Sequence, residues 1–145
     1  MTRALSLAVV AFAITGCGSS SPSLSRLRRQ ATRICQRALA TSARIQPPAL
    51  PSDTAPVLRR GASVLSTELS QLRTLKAPAD NTSSFSAALA AQSRQLTILD
   101  ETTRDLDRGA DVVSSIKTLQ RRLAPTESAE DAAWRTLGIP ACAVR

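Results

Sequence analysis

The stretch at residues 84–111, SFSAALAAQSRQLTILDETTRDLDRGAD, decides the fold. Seven of its residues recur three or four positions apart: Phe85, Leu89, Gln92, Leu96, Leu99, Thr103 and Leu106. This spacing places them on one face of an α-helix. Gly109 then tolerates the left-handed conformation of a helix C-cap, and Asp111 can cap a new helix. The stretch therefore predicts a long helix that turns sharply into another.

Three other segments carry the same spacing, so four helices are predicted in all. Their stripes are Leu24, Leu27, Ala31, Ile34, Ala38, Thr41 and Ile45; Leu58, Ala62, Leu65, Leu69 and Leu72; and Val112, Ile116, Leu119, Leu123, Trp134 and Leu137. Prolines at 47, 48 and 78 and the glycine at 109 separate the segments, which excludes one long coiled coil. Short loops between four such stripes predict an all-α, antiparallel up-down four-helix bundle over residues 24–145.

Pro125 lies inside the fourth segment and leaves its course open. A true break there would leave three helices with loose ends. An unbroken register would instead turn Glu127 and Glu130 inward. We expect a kink at Pro125 that brings three small residues inward, Ala129, Ala132 and Ala133.

Residues 1–16 have the layout of a signal peptide. Arg3 supplies a positive charge, residues 4–14 are apolar, and the small residues Thr15 and Gly16 follow. About 20 apolar residues are needed to cross a bilayer, and this run is roughly half that. A cleaved leader is therefore expected rather than a membrane-spanning anchor.

The residues Ile14-Thr15-Gly16-Cys17 resemble the lipobox of bacterial lipoproteins. The resemblance implies cleavage before Cys17 and attachment of a diacylglycerol to its sulfur. Residues 17–23 would then form the lipidated cysteine and a short flexible tether, on the extracytoplasmic face of the cell membrane. The alternative is ordinary cleavage that leaves a free thiol at Cys17.

Secretion places the chain in an oxidising compartment, where disulfides persist. With Cys17 acylated, Cys35 and Cys142 permit one pairing, and we expect them to be bonded. An up-down bundle also returns its fourth helix toward the first. A metal site built on these two cysteines is disfavoured, because the chain has no histidine and no CxxC spacing.

A wider pattern resembles small helical lipoproteins of actinobacteria, a largely uncharacterised group. It consists of the lipobox, RICQRA at residues 33–38, DRGAD at 107–111 and LGIPACA at 137–143. The excess of 17 arginines over 2 lysines suits a high-GC genome. The resemblance implies a fold and a location but no activity.

Catalytic chemistry has little support in this composition. Without histidine, neither a Ser-His nor a Cys-His arrangement exists, and no phosphate-binding glycine loop is present. Five charged residues lie close together on the third helix and predict a solvated, ion-paired face: Asp100, Glu101, Arg104, Asp105 and Arg108. We expect no enzyme activity, no cofactor and no metal.

The charge is uneven along the chain, which carries a formal net charge of +8. No acidic residue precedes Asp53, and the first helix holds a line of arginines at spacings of three and four: Arg26, Arg29, Arg33 and Arg37. A domain outside the cytoplasm meets little DNA, and stacking aromatics are scarce, so nucleic acid is not an expected partner. The line predicts contact with anionic lipid headgroups, with a plain solvated face as the alternative.

The polar residues Thr41, Gln92 and Thr103 interrupt the apolar stripes. They predict either a small pocket with a polar end or side chains that bond locally and fix the register. The sequence thus indicates a non-catalytic binding or scaffold module at the cell envelope, with an unknown protein partner. The alternative is a carrier or sensor of a small apolar ligand held in the bundle core.

Overall fold

A computed structural model describes residues 22–143, and within them the chain is all-helical. The four helices are α1 (Leu24–Ser42), α2 (Thr54–Arg73), α3 (Thr82–Asp107) and α4 (Val112–Leu137). Three single 3-10 turns accompany them, at Pro51–Asp53, Ala79–Asn81 and Pro140–Cys142. The helical class and the number of helices confirm the prediction. The leader, Cys17 and all but the last two residues of the tether lie outside the described residues.

Local side chains begin and end the helices. Ser23 Oγ accepts a hydrogen bond from the Arg26 N–H at 3.3 Å, and Asp111 Oδ1 accepts from the Ser114 N–H at 2.9 Å. Gly109 and Gly138 have positive φ angles of 88° and 68°, so each supplies the left-handed turn that ends a helix. The roles predicted for Gly109 and Asp111 are confirmed.

Helix α3 is central because it packs against both α4 and α2. An ion pair of 2.7 Å joins Arg59, early in α2, to Asp107 at the end of α3. Between α3 and α4, Glu101 pairs with Arg122 at 2.5 Å. Helix α1 packs against α2 and against the turn Pro140–Cys142.

The two-sided packing of α3 explains the core residues that a single stripe misses. Besides the predicted Phe85, Gln92 and Thr103, five further residues of α3 are buried: Ala88, Ala91, Gln95, Ile98 and Thr102. A helix with two neighbours buries more than one stripe of its surface. The main core forms where Leu27, Leu72 and Leu137 surround Trp134. The Phe85 ring meets the Trp134 ring edge to face, with centroids 6.1 Å apart.

The disulfide between Cys35 and Cys142 is present, with Cα atoms 5.1 Å apart. It links α1 to the turn that follows α4, and both cysteines are buried. The pairing expected from the sequence is therefore confirmed.

Helix α4 runs through Pro125 as one helix from Val112 to Leu137, so the chain does not break there, and the expected inward turn of Ala129 and Ala132 is wrong. Glu130 is buried, whereas Ala129 and Ala132 are exposed; of the three alanines only Ala133 lies inside. Pro125 cannot donate to the Arg121 carbonyl one turn earlier. Both residues are exposed, so water can satisfy that carbonyl in place of the missing N–H.

Candidate functional site

A cleft of about 230 Å³ opens between the four helices beside the disulfide. Its walls are mainly apolar and come from every helix: Ala38, Leu39, Val64, Leu65, Leu99 and Leu123. Its polar lining consists of Ser42, Glu68, Gln95 and Glu127. Cys35 and Cys142 also line it, so the disulfide holds one wall in place.

A buried carboxyl group is hydrogen-bonded to the cleft residue Gln95. Glu130 is 1% exposed and accepts two hydrogen bonds, from Gln95 Nε2 at 2.5 Å and from Trp134 Nε1 at 2.9 Å. Burying a carboxyl group is costly unless other interactions replace its hydrogen bonds to water, and these two hydrogen bonds contribute to that replacement. Because Gln95 also lines the cleft, it connects the cleft to the tryptophan at the core.

The ionisable side chains that line the cleft are acidic, whereas the chain as a whole is basic. Glu68, only 6% exposed, and Glu127, which is exposed, supply carboxyl groups to it. No lysine or arginine is among the residues that line it, although the chain has 19 of them. The combination of apolar walls and carboxyl groups suits a ligand with an apolar body and a positive end.

Gly61 forms part of the wall contributed by α2. It lies within the helix, where glycine costs about 1 kcal/mol of stability relative to alanine. A Cβ atom added there would meet no atom within 4 Å. The missing side chain thus leaves the cleft wider at that point.

The three polar residues predicted to line a core pocket do not form one, and none of them lines this cleft. Thr41 is exposed, and its hydroxyl donates to the Arg37 carbonyl at 2.9 Å; Thr103 donates to the Leu99 carbonyl at 2.8 Å. These are the local bonds given as the alternative. Gln92 is fully buried, and its amide atoms have no hydrogen-bond partner in the described part of the chain.

The four arginines of the predicted line are all exposed along α1: Arg26, Arg29, Arg33 and Arg37. None of them forms an ion pair with a carboxylate of residues 22–143. Arg33 and Arg37 each donate through Nε to the carbonyl one turn earlier, at 3.3 Å. We call these four residues, with Lys76, the basic face.

Lys76 was missed by the sequence reasoning because it lies in the loop after α2. It lines a surface depression with Arg26 and Ser23, and Leu75 joins that depression to a second one lined by Arg33 and Arg37. Arg28 lies off this face, as its spacing predicts. Its Nε donates to the Leu137 carbonyl at 2.7 Å, which ties α1 to the end of α4.

The charged cluster of α3 is exposed and partly ion-paired. Arg108 pairs with Asp105 at 2.5 Å. Arg104 does not pair with the Asp100 carboxylate, and its Nε donates to the Asp100 carbonyl at 3.2 Å. The arrangement is consistent with a solvated face.

No helix between residues 22 and 143 is long and apolar enough to cross a membrane. The same residues hold no group of three or more histidine, cysteine or acidic side chains placed to bind a metal ion.

Comparisons with protein-family models, with curated proteins and with solved structures found no match to this chain.

Proposed function

We propose that this chain is a lipid-anchored, non-catalytic binding module of the cell envelope whose basic face rests on anionic lipid. The observation that carries the proposal is the exposed line of arginines on α1, none of which pairs with a carboxylate of residues 22–143. Basic side chains near an anionic membrane contribute roughly 1 kcal/mol each. Four of them would add to a lipid anchor without replacing it.

The short tether limits how far the proposed anchor can lie from this face. Five residue steps separate Cys17 from Pro22, and such a segment spans at most about 18 Å when fully extended. Pro22 lines the same depression as Arg26 and Lys76. A lipid on Cys17 would therefore hold the basic face near the headgroups.

The proposal also includes the up-down antiparallel order of the four helices. The pairs Arg59–Asp107 and Glu101–Arg122 support it, since each joins an earlier part of one helix to a later part of its neighbour. The same order brings the end of α4 toward α1, where Arg28 meets the Leu137 carbonyl.

Membrane contact is tested on residues 18–145, which lack the proposed anchor. We expect this domain to bind anionic vesicles at low salt and to release them near physiological salt, where the screening length is about 8 Å. Replacing Arg26, Arg29, Arg33 and Arg37 by glutamine should abolish binding. The matched control removes four exposed arginines from the other helices, Arg60, Arg94, Arg104 and Arg121. Equal losses in both variants, or equal binding to neutral vesicles, would refute a specific role for α1.

The anchor is tested separately in the full chain. We expect Cys17→Ala to leave a protein that is released or retained as its precursor. A processed Cys17→Ala protein that still fractionates with membranes would show that lipid anchoring is wrong.

A second candidate function is the carriage or sensing of a small ligand. The cleft of about 230 Å³, with lining from all four helices, is the observation that favours it. Binding sites for small molecules commonly combine apolar walls with a few polar groups, as this cleft does.

A further inference from the structure

We propose that the cleft binds a small apolar molecule that carries a protonated amine. This inference rests on the second candidate function, that the protein holds a small ligand, and adds the chemical class of that ligand.

The positive end of the ligand follows from the acidic side chains at the cleft. Glu68 and Glu127 line it, and Gln95 joins it to the buried carboxyl group of Glu130. No basic side chain lines it. A carboxylate on a ligand would face these groups with no positive partner, whereas an ammonium group would be attracted to them.

The apolar body of the ligand follows from the walls. Leu39, Leu65 and Leu123 come from three different helices and face the same space. The volume of about 230 Å³ matches that of about eight water molecules in the liquid. A chain of about eight carbon atoms is therefore the right scale for a probe.

Gly61 supports a role for the open space itself. It occupies a helix position where alanine would be more stable, and a Cβ there would project into space with no neighbour within 4 Å. A larger side chain at this position should therefore occupy the cleft without displacing the core.

The experiment compares three probes of equal length, octylamine, 1-octanol and octanoate, at neutral pH. The full chain is held in neutral phosphatidylcholine vesicles, and vesicles without protein provide the blank. Trp134 reports binding, because it is the only tryptophan and shares Glu130 with the cleft residue Gln95. We expect octylamine to change Trp134 fluorescence at a concentration at least about tenfold lower than 1-octanol, as befits a charge-assisted hydrogen bond.

Three variants distinguish the contribution of the open space in the cleft from the contribution of its acidic side chains. Gly61→Leu should fill the cleft and abolish the response to every probe while the helical content is kept. Glu127→Gln should reduce the preference for octylamine over 1-octanol by up to about fivefold, as expected for an exposed charge pair. Asp100→Asn removes an exposed carboxylate of α3 that does not line the cleft and should change nothing.

The outcomes test separately whether the protein holds a small ligand and whether that ligand is an amine. If no probe changes Trp134 fluorescence, ligand carriage itself is refuted, and the inference falls with it. If 1-octanol or octanoate acts at concentrations equal to or lower than octylamine, and Gly61→Leu abolishes that response, ligand carriage stands and the amine class is overturned. An unchanged preference in Glu127→Gln, or an equal loss in Asp100→Asn, would also overturn the amine class.

Discussion

Removing the disulfide should cost a large part of the stability of this domain. The perturbation is the double change Cys35→Ala and Cys142→Ala in residues 18–145. The bond closes a loop of 107 residues. The loop-closure entropy that it removes from the unfolded chain is about 16 cal/mol/K, or about 4.8 kcal/mol at 25 °C. The free energy of unfolding of small domains is about 5–15 kcal/mol, so the variant should lose between about a third and nearly all of its stability.

The assay is urea unfolding followed by circular dichroism. If the free energy of unfolding falls by about 2 kcal/mol per M urea, a loss of about 4.8 kcal/mol should lower the midpoint of urea unfolding by about 2.4 M. The oxidised parent protein is compared with the same protein after reduction, which removes the cross-link and leaves both sulfurs in place. Both cysteines are nearly fully buried, at 3% and 1% exposure, so the reduced form also controls for lost packing in the alanine variant.

The result that would refute this reasoning is a small effect in both comparisons. A loss below about 1 kcal/mol on reduction would mean that the cross-link does not restrain the unfolded chain. A large loss in the alanine variant with a small loss on reduction would assign the effect to packing around the two sulfurs.

Three further changes test other parts of the structure. Gly61→Ala should raise the free energy of unfolding by up to about 1 kcal/mol in thermal denaturation, because its Cβ meets no atom within 4 Å. Leu72→Ala, at a fully buried site, should lower it by about 2–5 kcal/mol, whereas Leu50→Ala, at a site 62% exposed, should stay within about 0.5 kcal/mol. The hydrogen bond from the Ser114 N–H holds the pKa of Asp111 below its usual 3.8, so its stabilising effect is present above pH 3.8 and is lost as the pH falls through the lowered pKa. Asp111→Asn keeps the capping oxygen but cannot titrate, so its stability should fall less with acid than that of the parent. Urea titrations at pH 2 to 5 measure this, and a pH profile identical to that of the parent would contradict it.

The sequence predicts the helices well because the spacing of the apolar residues agrees with the positions of the residues that begin and end helices. The glycine at 109 and the aspartate at 111 mark the α3–α4 turn where the structure has it. Pro125 misled the reasoning, because proline inside a helix usually signals a break or a kink. The stripe Ile116, Leu119 and Leu123 continues at the same spacing through residues 126 and 130 to Leu137. That continuity was the signal for an unbroken helix with Glu130 inside.

The cleft was harder to predict. A stripe of apolar residues identifies which side chains face inward, but it does not show where side chains of different helices leave a gap between them. Glu68 follows Leu65 by three positions and precedes Leu72 by four, so its burial could have been inferred from spacing. Glutamate side chains are rarely buried in proteins, which argued against that inference. The bonds of Glu130 to Gln95 and Trp134 join two helices, and no pattern within one helix reveals such a pairing.

The packing of α1 against the turn Pro140–Cys142 has a consequence for the order of biosynthesis. The helix that is made first depends on a segment made more than 100 residues later. At about 5–20 residues per second, Cys35 waits about 5–20 s for its partner after it has been synthesised. During that time the apolar stripe of α1 lacks the cover that the turn Pro140–Cys142 provides. A chain that stops short of Cys142 would carry Cys35 as a free thiol, which a thiol-reactive label would distinguish from the finished protein.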